Sequence, residues 1–237
     1  MSKGQAGADP MSPSGYFVSH DAIKQFRNLG YVRLDGLLNP YETQIPAAFE
    51  DLFTASTPRR GQRGRLGVPR AGTRHPLLRS LLTSLIEPAA EQITGNRVTY
   101  LGGDAVVYEG DSYWHRDGNH SAAVIIKVVT CLDPLDGASG ALRVLPATHG
   151  KDTDWAQHLQ WLREPEEHLG VTGDRLPSVV IPTHPGDAIV FDTHILHSAF
   201  RGGGSRRQIT WTFANSLDDP AAAQEITRYI LADHGVV

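Results

Sequence analysis

At 237 residues, 40% of them hydrophobic and 20% charged, the chain is long enough to bury one sizeable core. Its net charge of -4 argues against general affinity for nucleic acid, and no apolar run reaches the roughly eighteen residues of a membrane span. One cysteine, Cys131, excludes an intrachain disulfide framework and suits a reducing cytoplasm.

Residues 1–15 are polar, rich in Gly, Pro and Ser, and carry no apolar signal-peptide core, so they are expected to form a disordered tail before a single domain over 16–237. The span Ser19 to Leu29 is predicted as a helix, with Ser19 as N-cap and Ile23, Phe26 and Leu29 at helical spacing. A strand over Tyr31 to Leu38 and a helix over Pro40 to Thr54, with proline in its first turn, are expected next. The stretch Thr57 to His75 holds six arginines interleaved with Gly and Pro. It is expected as a long surface loop, with a lid over an active site as the functional alternative to a solvated connection. In the lid reading, Arg63 and Arg65 contact substrate. Pro76 to Ile93 is predicted as a third helix through its repeated leucines.

From Val98 onward short β-rich runs dominate: Val98 to Tyr108, Tyr113 to Asp117, Ala122 to Leu132, Ala141 to Leu145, Ser178 to Ile181, Ala188 to Phe191, Ile195 to Phe200 and Arg206 to Ala214. Asp154 to Leu169 reads as an inserted helical or irregular segment, and Pro220 to Ala232 as a final helix. Short strands after a helical N-terminal part predict a mainly β fold with flanking helices. The architecture expected is a double-stranded β-helix, or jelly-roll, barrel buttressed by the N-terminal helices.

The chemistry concentrates in Trp114-His115-Arg116-Asp117. On a strand, His115 and Asp117 point to one face. Joined by a distant histidine they make a two-histidine, one-carboxylate triad, which holds Fe(II) by three ligands and leaves positions open for a co-substrate and O2. Pro185-Gly186-Asp187 is a turn signal, and the buried strand behind it delivers His194 or His197 as the second imidazole. Arg206 or Arg207 then supplies a guanidinium for the distal carboxylate of 2-oxoglutarate; strand alternation sends the two to opposite faces, so only one enters the barrel. Lys127 interrupts an apolar run and must face solvent, snorkel or meet a charged partner inside. Thr130 is the weaker co-substrate candidate, on the opposite alternation.

Taken together, Trp114 to Asp117, Ser139-Gly-Ala-Leu-Arg-Val-Leu-Pro-Ala-Thr-His149, Pro185-Gly-Asp187, Leu196-His197 and Arg206 to Ala214 resemble the phytanoyl-CoA dioxygenase family of Fe(II)/2-oxoglutarate oxygenases. Leu145 to His149 is similar to that family's Leu-Pro-Gly-Ser-His segment with Ala147 in place of glycine, and Phe26 to Val32 to its opening helix-to-strand passage; the resemblance spans roughly residues 19–216. It implies His115, Asp117 and His197 as iron ligands and, read back from Phe213-Ala214, Arg206 as the carboxylate clamp. It also registers Lys127 beside the co-substrate. The implied activity is oxidative decarboxylation of 2-oxoglutarate coupled to hydroxylation or oxidative cyclisation of a small molecule. Asp117 argues against halogenation, because halogenating relatives lack that carboxylate.

The substrate is expected to be a bacterial natural product, with sugars and aminoglycosides among the candidates. Tyr108, Trp114, Asn119 and His120 are the residues expected against it, and Glu109, Asp111 and the acidic loop Leu132 to Asp136 are further groups able to meet amines or hydroxyls. An acyl-CoA or amino-acid hydroxylase stays open as an alternative. So does a metal-binding jelly roll without catalytic activity.

Overall fold

The computed structural model describes residues 15–61, 65–118, 123–150, 156–215 and 219–233. Helix α1 (His20–Leu29) starts where predicted: the Ser19 hydroxyl accepts from the Ala22 N–H at 3.2 Å. It ends at Gly30, whose φ of 81° closes the cap with an N–H bond to the Phe26 carbonyl. Strand β1 (Tyr31–Leu34) is shorter than expected, because the chain turns at Gly36, and α2 (Gln44–Thr54) begins after a single 3-10 turn at Asn39–Tyr41.

The Arg-rich stretch is not a long loop. It forms β2 (Arg59–Arg60), β3 (Arg65–Pro69) and the short helix α3 (Ala71–Arg74). Helices α4 (Pro76–Leu81) and α5 (Glu87–Thr94) run on through a π-turn at Leu82–Ile86, just ahead of Pro88. The predicted strand over Val98 to Tyr108 is two strands, β4 (Val98–Gly102) and β5 (Asp104–Tyr108). The break falls at Gly103, where a Cβ would lie 2.0 Å from the Thr210 carbonyl oxygen. There follow β6 (Ser112–His115), β7 (Ile125–Cys131), β8 (Leu142–Leu145), α6 (Ala156–Arg163), α7 (Pro165–Leu169), β9 (Val179–Ile181), β10 (Ala188–Asp192), β11 (Leu196–Ala199), β12 (Arg206–Asn215) and α8 (Pro220–Asp233).

Two antiparallel sheets result. The larger has eight strands in the order β1-β10-β7-β12-β5-β3-β2, with β4 also on β12; the smaller runs β6-β11-β8-β9. Both are open, so the fold is jelly-roll in its layers without the closed barrel that the strand pattern suggested. One face of the large sheet, carrying Val68, Ala105, Ile126, Val128, Val190, Ile209, Trp211 and Phe213, packs on the N-terminal helices as the main core. The alternate residues of the same strands face the small sheet, and that face holds the site. The small sheet's other side packs Trp114, Leu196 and Phe200 against Leu162 of α6.

A candidate metal centre between the sheets

The registers decide which side chains meet. Thr212 lies opposite Lys127, Thr210 opposite Val129 and Gln208 opposite Cys131; Arg206 lies opposite Tyr108. With period-two alternation these residues share the inner face, together with Ile189 and Phe191 of β10. In the small sheet His197 is registered on His115, but Ala199 on Ser112, so β6 carries an extra residue. Such a bulge re-aims side chains. Here Ser112 and His115 both line the cavity while Trp114 is fully buried behind the sheet.

Strand β6 stops at His115, two residues short of its predicted end. Asp117 sits in the bend beyond, where its N–H donates to the Thr193 carbonyl at 3.0 Å. The bend brings the carboxylate alongside both imidazoles: His115 Nε2 is 3.5 Å from Asp117 Oδ1, and His197 Nε2 is 3.6 Å from Oδ2. Each of the three residues offers a ligand atom within 4.8 Å of the others. Their second ring nitrogens are committed elsewhere, His115 Nδ1 to the Tyr113 carbonyl at 2.7 Å and His197 Nδ1 to the Ile195 carbonyl at 2.9 Å. A carbonyl only accepts, so both Nδ1 atoms carry a proton and Nε2 is the ring atom each histidine turns inward, the atom a metal would take.

Burial lowers the His115 pKa, and the neighbouring His197 lowers it further, against the opposing pull of Asp117. Burial alone would raise the Asp117 carboxyl; Lys127, with its Nζ at 2.9 Å from Oδ2, and then the two histidines outweigh it and hold the group well below the usual carboxylate range. The donor set of two imidazoles and one carboxylate fits a divalent first-row metal.

The cavity next to this triad measures about 120 Å3 and runs from His115, Asp117 and His197 past Lys127, Val129 and Phe191 to Arg206. Arg206 is 3% exposed. Its two terminal nitrogens donate to the Gly140 carbonyl at 2.8 Å and the Gly110 carbonyl at 2.6 Å, while its Nε, also buried, has no partner. Burial depresses the guanidinium's pKa, with Asp111 opposing. Gly140 and Gly202 make the cradle: a Cβ at either would fall 2.7–2.8 Å from atoms of the guanidinium side chain.

The remaining candidates separate cleanly. Arg207 is on the opposite face and pairs with Asp133 at 2.7 Å and Glu50 at 3.1 Å, so Asp133 of the acidic loop is spent there. His194 turns away, with Nδ1 3.2 Å from Asp192. Thr130 corrects the expectation placed on it: it lies on the helix-facing side and donates to the Asp187 carbonyl at 2.9 Å. Trp114 is likewise no pocket wall, since its indole packs behind the sheet and donates to the Gly173 carbonyl at 3.0 Å. Arg65 reaches the inner face of the sheet, opposite Tyr108, and pairs with Asp104. Arg63, Asn119 and His120 lie outside the described residues. Asp111 accepts the Gly202 N–H at 3.3 Å and borders a separate outer cavity. Gln208 and Thr210 line the site and were not foreseen, although counting every second residue from Arg206 reaches both.

Two facing antiparallel sheets around a His/Asp/His centre and a buried arginine define a jelly-roll fold of the non-haem metal-binding type. The chain belongs to the phytanoyl-CoA dioxygenase family, whose model matches residues 26–208. No curated protein sequence matches it. Among solved structures it is similar to the non-haem α-ketoglutarate-dependent carbocyclase SnoK from nogalamycin biosynthesis, at 19% identity and a TM-score of 0.67 over 88% of each chain. It is also similar to AviO1 from Streptomyces viridochromogenes, at 21% identity and a TM-score of 0.64, covering 84% of this chain and 96% of that one. HygX from Streptomyces hygroscopicus, solved with nickel and 2-oxoglutarate, gives 12% identity and a TM-score of 0.68 over 85% and 89%. At these identities the likeness is one of fold. Among the described residues no helix is long and apolar enough to cross a membrane.

Proposed function

We propose that the protein is an Fe(II)/2-oxoglutarate-dependent oxygenase that oxidises a C–H bond of a small polar molecule, with natural-product biosynthesis as its setting. The observation that carries this reading is one cavity lined by a metal-ligand set at one end and by a buried arginine, Arg206, at the other. A triad alone would suit many metal proteins. A buried cation facing the same space needs an anion, and the distal carboxylate of a 2-oxo acid supplies it. The fold neighbours solved with 2-oxoglutarate, such as HygX, support the same assignment.

His115, Asp117 and His197 would hold the iron, which when loaded with 2-oxoglutarate and O2 supplies the oxidising equivalent while the oxo acid leaves as succinate and CO2. The protein's own residues do the rest. The carbonyls of Tyr113 and Ile195 hold both imidazoles in orientation, with Nε2 turned inward. Arg206 would fix the far carboxylate, its side chain held in place by the Gly110 and Gly140 carbonyls. Val129, Ile189 and Phe191 give an apolar wall that excludes water beside the metal ligands. Ser112, Tyr108, Gln208 and Thr210 are polar lining groups, and they favour a hydroxyl- or amine-bearing substrate, such as a sugar or aminoglycoside, over an acyl chain.

Anaerobic addition of Fe(II) and 2-oxoglutarate should produce a weak visible charge-transfer band. Metal binding with no such band would overturn the co-substrate assignment. A panel of aminoglycosides, oligosaccharides, amino acids and acyl thioesters, scored by stimulated succinate release, then tests substrate class. A product heavier by one oxygen atom means hydroxylation, and one lighter by two hydrogens means cyclisation or desaturation. Stimulation by acyl thioesters alone would overturn the polar-substrate reading.

A further inference from the structure

Lys127 stands where two binding events intersect. Its strand position, opposite Phe191 on one side and Thr212 on the other, places it on the inner face in the middle of the large sheet. Its ammonium lies 2.9 Å from Asp117 Oδ2, the oxygen that also lies nearest His197 Nε2. It lines the same cavity as Arg206. The ammonium therefore touches the carboxylate a metal would use and borders the space an anionic co-substrate would use.

We propose that Lys127 couples metal loading to co-substrate binding by competing with the metal for Asp117 and exchanging that contact for the anion. The inference rests on the metal-centre reading above. The physics is that of one carboxylate between two cations. A carboxylate already satisfied by an ammonium is a poorer ligand for a divalent ion, and the two cations repel at the few ångströms the site allows. A 2-oxo diacid brings two negative charges into the cavity, which reverses the sign of that interaction. Lys127 thus disfavours metal alone and favours metal together with the anion. It acts on the ligand set and on co-substrate binding and has no part in bond-making.

Ordinary ligand orientation makes the opposite forecast. A lysine that merely steadied Asp117 would, when removed, weaken metal binding by about 10- to 100-fold, as loss of an outer hydrogen-bond partner does. The measurement is an anaerobic titration of Mn(II) into wild type, Lys127→Met and Lys127→Arg, with and without 2-oxoglutarate, following free Mn(II) by electron paramagnetic resonance. Lys127→Met should bind Mn(II) alone about tenfold more tightly, and the tightening that 2-oxoglutarate gives wild type should shrink by about tenfold or more, somewhat above the roughly fivefold of a charge pair about 4 Å apart that is fully screened by water. Lys127→Arg keeps the charge and should stay within roughly threefold of wild type on both counts.

Weaker or unchanged Mn(II) binding in Lys127→Met, with wild type binding normally, overturns the coupling and leaves the metal centre standing. A Lys127→Arg result matching Lys127→Met overturns it as well, since charge would not then be the cause. Failure of wild type to bind Mn(II) any better than His115→Ala overturns the metal-centre reading and the coupling with it.

Discussion

Replacing Arg206 by alanine tests the arrangement most directly. The side chain is 3% exposed, is held by the Gly110 and Gly140 carbonyls and borders the cavity. Truncating one partner of a buried, hydrogen-bonded charge pair costs about 2–5 kcal/mol. At about 1.4 kcal/mol per factor of ten, that is roughly a 30- to 4,000-fold weakening of 2-oxoglutarate binding. Because the cavity opens toward solvent, some water will reach the abandoned carboxylate, and the lower half of that range, about a hundredfold, is expected. The assay is an anaerobic 2-oxoglutarate titration of Fe(II)-loaded protein, read by the charge-transfer band, beside the KM from succinate release. Iron binding without 2-oxoglutarate should be unaffected, and a thermal melt of the metal-free protein checks the fold. Arg207→Ala is the internal control: its surface pairs with Asp133 and Glu50 are worth at most about 1 kcal/mol of stability and nothing to the cavity. A larger 2-oxoglutarate defect in Arg207→Ala than in Arg206→Ala would refute the register on which the site is built.

His115→Ala, Asp117→Ala and His197→Ala should each abolish succinate formation and metal retention, while His194→Ala keeps most of both; the reverse for the two histidines would move the centre. Trp114→Ala should cost about 3–5 kcal/mol of stability through its buried indole, read as a lowered melting temperature, whereas Trp114→Phe should leave substrate preference unchanged. The metal-free protein should lose stability as pH falls below about 6.5. In the unfolded chain His115 takes up a proton near its ordinary 6.5, while in the fold burial and His197 hold its pKa lower. The unfolded state then binds more protons through that window. A pH series of melting temperatures should show this slope in wild type and a shallower one in His115→Gln.

Local chemistry made much of the molecule legible in advance. Ser19 and Gly30 bracket α1 because capping is a matter of a few neighbouring atoms. The Pro-Gly-Asp turn forms where expected, and the Asp187 carboxylate ties it down by accepting from Gly36 and His184 N–H groups at 2.9 and 3.0 Å. The pair His115 and Asp117 was readable from spacing alone, yet the reason they meet differs: a bend after β6, held by Thr193, does what a continued strand was expected to do.

What needed the tertiary structure was everything set by register and by distant partners. Arg206 and Arg207 are chemically identical neighbours; the family resemblance favoured Arg206, and the pairing of β12 with β5 and β7 supplies the physical reason by sending one to the cavity and the other to Asp133. The bulge that brings Ser112 onto the same face as His115 is invisible to a period-two count, because one extra residue reverses the alternation. The Arg-rich segment looked like a loop because Gly and Pro depress strand propensity, but its hydrogen bonds to β5 give five of its residues a ladder that propensity does not weigh. The contact of Lys127 with Asp117 joins a strand of the large sheet to the bend after β6 of the small one, and so depends on how the two sheets face each other. Sequence determines which chemistry is available, since side-chain types and local turns are encoded residue by residue. The fold decides which of those groups share a cavity, since that depends on backbone pairings between segments far apart in the chain.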